Sequence, residues 1–205
     1  MAFTFFFRDL DAIKLIPDYV LPGFREDDLL RVWDAGCANG PEIYSLLIYL
    51  KENVDSDTFE RIRISASDID NSNRFKKIIE CGRYRKNELM SVPPHILEKH
   101  FTKDEDAEIY TISNELRDKV VYRKHDLLSL KPVETEFNLV ICKHVLQHFS
   151  AGQQADVVRM FHSSLKSGGC FLTEYSQGLP GACDGLFERV LPSGNLFRKN
   201  GDFEC

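Results

Sequence analysis

Apolar, β-branched runs alternate with helical repeats along most of this chain of 205 residues. Residues 29–36, "LLRVWDAG", read as a buried strand ending in a glycine turn. Residues 41–54 read as a helix, with Pro41 in its first turn and Ile43, Leu46, Leu47 and Leu50 on one face. A second strand follows at 61–70, "RIRISASDID", and a second helix at 71–82, closed by Gly82. Residues 119–128 and 137–145 supply two more strands, 152–166 a helix and 168–176 a further strand. This alternation with short connections predicts an α/β fold, a Rossmann-like, doubly wound and mostly parallel sheet covered on both faces. Residues 83–118 break the rhythm with a short helix at "VPPHILEKHF" and a short exposed strand at "AEIYTIS", and read as a small inserted subdomain. In the tail, "GLFERVL" reads as a helix and "NLFRK" as a last strand pairing antiparallel.

Composition narrows the setting. Hydrophobic residues make up 43% and charged residues 28%, as in an ordinary globular domain, and one domain is expected for this length. A net charge of −6 supplies no overall basic field for nucleic acid or anionic lipid; "GRYRKNEL" (82–89) is the best local basic patch. No apolar run approaches the ~20 residues that span a bilayer, so no membrane insertion is expected. The opening "MAFTFFFRDLD" is no secretory signal, because its apolar run is short and charges follow it at once. Its phenylalanines are expected to pack onto the domain and hold Arg8 in a fixed place. The cysteines at 37, 81, 142, 170, 183 and 205 form no C-x-x-C pair and read as reduced thiols of a cytoplasmic protein.

Chemistry collects where strands end. Parallel sheets bind ligands beyond the carboxyl ends of their strands. In "DAGCANGPE" (34–42), Gly36 and Gly40 allow a tight turn and close approach of a ligand. Asp68 and Asp70 end the second strand, where a carboxylate suits a ribose diol, and Asp126 ends the third, within reach of an adenine amino group. The dinucleotide pattern G-x-G-x-x-G fails, since the offsets from Gly36 give Ala38 and Pro41, and no Walker lysine is present. Asp34 and Glu42 instead crowd the loop with carboxylates, which suits a cationic ligand; S-adenosylmethionine carries a sulfonium, an ammonium and a ribose.

These stretches, together with "TFFFRD" (4–9), "ASDIDNSNRFKKIIECGRYRKNEL" (66–89), "NLVICKHVLQHF" (138–149), "LKSGGCFLTEYS" (165–176) and "NLFRK" (195–199), resemble the CheR family of chemotaxis receptor methyltransferases over nearly the whole chain. The resemblance implies S-adenosylmethionine as cofactor and a glutamate side chain of a methyl-accepting chemotaxis receptor as acceptor. It places Thr4, Arg8, Glu42, Asp68, Asp126 and Leu127 around the cofactor, with Gly36, Gly40, Lys143 and His144 completing the pocket. Arg8 and His148 are expected at the reacting end. It further implies that the chain is a single catalytic domain, with the family's N-terminal helical domain absent.

Four positions depart from the family pattern: Pro41 replaces an acid, Lys143-His144 replaces Arg-Asn, Asp126 replaces an asparagine, and His148 stands where tyrosine is common. They cluster on the side facing cofactor and acceptor. Another acceptor, or a module that holds the cofactor without turnover, are the competing readings. His144 and His148 lack the glutamate of a zinc-protease motif, Val145 occupying its place, and no metal is expected. Asp70 is expected to cap the second helix, and Tyr44 and Ser45 to pack and cap or to touch ligand.

Overall fold

The computed structural model describes residues 4–23, 28–105, 108–192 and 194–201. In chain order its elements are α1 (Leu10–Ile13), α2 (Leu15–Tyr19), β1 (Leu30–Ala35), α3 (Pro41–Asn53), α4 (Ser56–Glu60), β2 (Ile62–Asp68), α5 (Phe75–Cys81), β3 (Arg83–Arg85), α6 (Pro94–His100), β4 (Phe101–Lys103), β5 (Ile109–Ile112), α7 (Asn114–Arg117), β6 (Val120–Lys124), β7 (Phe137–Ile141), α8 (Ala151–Ser164), β8 (Leu165–Leu172), β9 (Phe187–Arg189) and β10 (Leu196–Lys199). Phe3 of the opening cluster and Cys205 lie outside the described residues.

Seven strands form one sheet in the order β6-β2-β1-β7-β8-β10-β9. The first five run parallel, and β10 is antiparallel to both β8 and β9. The chain steps outward from β1 to β2 and β6, then returns to the other side of β1 with β7. The order therefore reverses between β1 and β7, and a crevice opens above their carboxyl ends. Alternation along β1 serves both faces: Val32 packs with Ile62, Ile64, Leu46 and Leu139 on one side, and Trp33 packs with Phe137, Phe161 and Phe171 on the other. Burial on both faces is why the strand reads as continuously apolar.

The fold class and the antiparallel last strand are as expected, with two corrections. "GLFERVL" contains strand β9 instead of a helix, because Phe187 and its neighbours pair with Lys199, Arg198 and Phe197 at the sheet edge. The short strand expected at "AEIYTIS" is present as β5, but it is partly buried instead of exposed, because it is the middle strand of a second sheet ordered β3-β5-β4. Its partners are three-residue strands whose existence depends on it. The helix at Pro94–His100 leads into β4.

The opening aromatic cluster is used unevenly. Phe6 is fully buried, edge-on to Tyr84 at 5.0 Å and to Phe101 at 5.7 Å, and so bridges the small sheet and the main core. Phe7 is half-buried, and Phe5, expected to pack onto the domain, is 41% exposed. Among the described residues no helix is long and apolar enough to cross a membrane. Cys37, Cys81, Cys142, Cys170 and Cys183 are free thiols.

Candidate functional site

The glycine loop is folded by its own backbone. Gly36 N–H and Cys37 N–H both donate to the Ser67 carbonyl, at 2.7 and 3.0 Å, which swings the chain off β1 and over the end of β2. Gly36 has φ 101°, a region that L residues avoid, and a Cβ there would meet Val145 Cγ2 at 2.3 Å. Ala38 N–H then donates to Asp68 Oδ2 at 3.1 Å, while Asp70 N–H takes Oδ1 at 2.8 Å. A carboxylate offers about four lone-pair sites, so Asp68 keeps acceptor capacity for a diol.

Pro41 opens α3 and sets Glu42 in its first turn, at the crevice. The Glu42 carboxylate is 11% exposed and lies 2.7 Å from Lys143 Nζ, whose side chain is 1% exposed beyond the end of β7. Behind them sits Asp34, buried, with Oδ2 lacking any partner among the described residues. Burial, then the nearby Glu42, and in smaller measure Asp68, push the Asp34 acid well above the ordinary aspartate range, against the pull of Lys143. Glu42 pairs with the Lys143 ammonium, Asp34 lies within the influence of both, and Asp68 is near enough to act on Asp34; this set of acids suits a cationic, sugar-bearing ligand and opposes a phosphate.

A strap of residues 4–9 roofs this crevice. Phe7 N–H donates to Ser45 Oγ at 2.7 Å, Ser45 Oγ donates to the Pro41 carbonyl at 2.6 Å, and Ser91 Oγ donates to the Phe6 carbonyl at 2.7 Å. Left-handed backbone at Phe7 and Asp9, φ 59° and 51°, turns the strap sharply. Asp9 Oδ2 lies 2.8 Å from His144 Nε2 and 3.7 Å from Lys143 Nζ. Partial burial raises the Asp9 acid, but the His144 hydrogen bond and the charges of Lys143, His144 and Arg8 outweigh it and hold the carboxyl below its usual value. Lys143 Nζ also donates to the Arg8 carbonyl at 3.4 Å. The Arg8 guanidinium stands 5.8 Å from the Phe5 ring centre and faces the crevice.

The crevice has a volume of about 580 Å³, and Thr4, Arg8, Gly36, Glu42, Asp68, Lys143, His144 and His148 all border it. Three expected residues do not. Gly40 lies under the loop, where a Cβ would strike Ile79 and the Tyr84 hydroxyl at 2.9 Å. Asp126 is exposed and accepts from Leu128 N–H at 2.9 Å, capping the turn that follows β6. Leu127 packs into the apolar layer that contains Trp33. Asp70 accepts from Arg74 N–H at 3.2 Å and Phe75 N–H at 2.9 Å, so it caps α5 as expected. Tyr44 packs, donating to the Ile79 carbonyl at 2.6 Å, and Ser45 anchors the strap.

Sequence reasoning missed Asp9, Ile69, Gln147 and Glu174. Ile69 and Gln147 border the crevice. Glu174, just beyond β8, accepts His144 N–H at 2.8 Å and supports its left-handed backbone, φ 59°. An acid at one more strand end was the available signal for Glu174. No cluster of three metal-ligating side chains occurs among the described residues. A second, wider groove of about 820 Å³ adjoins the crevice and shares Thr4, Asp68 and Ile69 with it.

Comparison with known proteins bears on this geometry. A chemotaxis protein methyltransferase of Listeria monocytogenes is 30% identical over 166 residues, covering 80% of this chain and 60% of the relative. A chemotaxis protein methyltransferase of Borreliella burgdorferi is 25% identical over 207 residues, covering 96% and 70%. An uncharacterized 104.1 kDa protein of Rhodobacter capsulatus is 31% identical over 186 residues, covering 86% of this chain and 18% of the relative. The chain therefore spans only part of these relatives' length, down to less than a fifth. The sequence profile described as CheR methyltransferase, SAM binding domain, matches residues 2–189. The chain therefore belongs to the CheR methyltransferase family, as a carrier of its S-adenosylmethionine-binding domain.

Proposed function

We propose that this chain binds S-adenosylmethionine in the crevice and methylates glutamate side chains of a chemotaxis receptor in the cytoplasm, as a single catalytic domain with the 83–118 segment inserted. The observation that carries this reading is the facing of Glu42 and Asp68 into one crevice beneath Arg8. When bound, the cofactor supplies an electrophilic methyl group on a sulfonium. Asp68 would accept from the ribose hydroxyls with the lone pairs that Ala38 and Asp70 leave, and Glu42 would hold the ammonium. Arg8 orients the acceptor carboxylate through charge-assisted hydrogen bonds, and the strap excludes water. A glutamate of pKa about 4.3 is ionised at neutral pH, so no base is required and His148 borders the acceptor's path without removing a proton.

Calorimetry with S-adenosylmethionine and its demethylated product, run beside nicotinamide cofactors, tests the first half. Incubation of the chain with methyl-labelled cofactor and a receptor fragment tests the second, since alkali releases methanol from a glutamyl ester and not from an N-methyl group. Binding of nicotinamide cofactors alone, or alkali-stable label, would overturn it. A second reading, a module that holds the cofactor without turnover, draws on Lys143, whose ammonium already occupies the Glu42 carboxylate. Binding without label transfer to any acceptor would favour it.

A further inference from the structure

Asp9 borders neither the crevice nor the wider groove, yet its carboxylate reaches three groups that line the crevice. Its Oδ2 lies 2.8 Å from His144 Nε2, 3.7 Å from Lys143 Nζ and 4.0 Å from Arg8 Nε. We infer that Asp9 is a positioning residue: tied to His144, it fixes the strap and sets the Arg8 guanidinium over the crevice. The inference rests on the methyl-transfer reading above and adds how its arginine is held.

The first argument is the bond that Asp9 forgoes. It stands at the start of α1, where an aspartate ordinarily accepts from an N–H of the first turn. Asp9 makes no such bond, and its side chain turns to His144 instead. Its backbone is left-handed, φ 51°, as is that of Phe7 on the other side of Arg8, φ 59°. Arg8 thus sits between two sharp turns, and an anchored carboxylate beside it limits where its guanidinium can swing. At 4.0 Å the Arg8 contact is longer than a hydrogen bond, so Asp9 draws the guanidinium without itself taking one of its donors.

The second argument is the rigidity of the anchor. His144 follows the carboxyl end of β7 with left-handed backbone of its own, φ 59°. Glu174, 2% exposed, accepts its N–H at 2.8 Å, and Gln147 Nε2 donates to its carbonyl at 3.2 Å. Both backbone polar groups of His144 are therefore committed, which holds an unfavourable conformation in place. Lys143 secures the same turn of the strap, donating to the Arg8 carbonyl at 3.4 Å while it pairs with Glu42. The third argument is charge. Partial burial acts upward on the Asp9 acid, but the His144 hydrogen bond and the neighbouring cations outweigh it. The anchor is thus ionised at neutral pH, and an ionised acceptor makes the stronger hydrogen bond.

The test compares wild type with Arg8→Ala, Asp9→Asn and the double variant. Asparagine tolerates left-handed backbone as aspartate does, so Asp9→Asn removes the charge and spares the turn. For Asp9→Asn, kcat of methyl transfer to a receptor fragment should fall about tenfold or more, with S-adenosylmethionine affinity and Tm close to wild type. The double variant should be no slower than Arg8→Ala alone, because Asp9 acts through Arg8. Deuterium exchange gives a readout that needs no turnover. The Phe7 and Arg8 amides, bonded to Ser45 Oγ and the Phe5 carbonyl, should exchange about several-fold faster in Asp9→Asn, with β1 amides unchanged. Unchanged strap exchange, an unchanged kcat, or a double variant slowed by the product of the two single effects would each overturn the assignment. A wild type that moves no methyl while Asp9→Asn loosens the strap sinks the transfer reading and leaves the anchor standing.

Discussion

Arg8 is held over the crevice by its neighbours, not by its own bonds alone. Phe6 is sunk between Tyr84 and Phe101, and Asp9 is tied to His144. Arg8→Ala therefore keeps the strap's anchors, and should cut methyl transfer by about a hundredfold or more while barely moving Tm. A steady-state assay beside a thermal melt checks this, and undiminished turnover would remove Arg8 from the site. Asp34 carries the opposite kind of effect. Its acid lies well above the usual value, so the stability linked to its proton is present at low pH and declines as pH rises through the raised value. Asp34→Asn should accordingly raise Tm at pH 7 relative to wild type, and less so near pH 4. Arg8, Glu42 and Asp68 were legible because each sits in a short motif whose backbone aims it. Asp9 was not, since its meaning comes from His144, 135 residues away. Asp126 misled because an aspartate is equally suited to capping the backbone two residues on, which is the bond it makes.

At the scale of elements, the opening segment, α3 and the small sheet form one mechanical unit. Phe6 reaches both Tyr84 of β3 and Phe101 of β4, while Phe7 hangs from Ser45 of α3. Phe6→Ala would leave a cavity at this junction and should cost about 3–5 kcal/mol, read as a lowered midpoint in urea. A loss under 1 kcal/mol would mean that the segment is not a structural member. The long alternating elements of the main sheet were readable because a period of two or 3.6 needs several residues to declare itself. The three-residue strands β3, β4 and β9 declare nothing alone; each is a strand because a neighbour's backbone is there to pair with.

For the whole molecule, two carboxylates link distant parts. Glu52 of α3 bonds Lys99 and His100 of α6, and Glu134 joins Arg31 of β1 to Arg123 of β6. The Lys99 hydrogen bond is the main cause that lowers the Glu52 acid below 4.5. At Glu134 burial acts upward, but the two arginines outweigh it and again leave the acid below 4.5. Both carboxyls bind protons more weakly folded than unfolded, so the stability they contribute is present above about pH 4.5 and lost as pH falls through their lower folded values. Melts from pH 7 to 3 should show this decline, and Glu134→Gln should flatten part of it. An identical slope in that variant would assign the acid sensitivity elsewhere.

The Lys143–Glu42 contact has a consequence for ligand entry. On the proposed reading, the carboxylate that would take the ligand's ammonium already has a resident cation, so occupancy would be an exchange in which one positive group evicts another. Apparent affinity would then measure a difference between two cations' fit, with Lys143 left to its remaining partner Asp9, 3.7 Å away. Lys143→Met strands a buried charge and should lower Tm of the ligand-free chain, yet it should enlarge the Tm rise that S-adenosylmethionine produces. A rise no larger than that of wild type would show that the lysine welcomes the donor instead of competing with it.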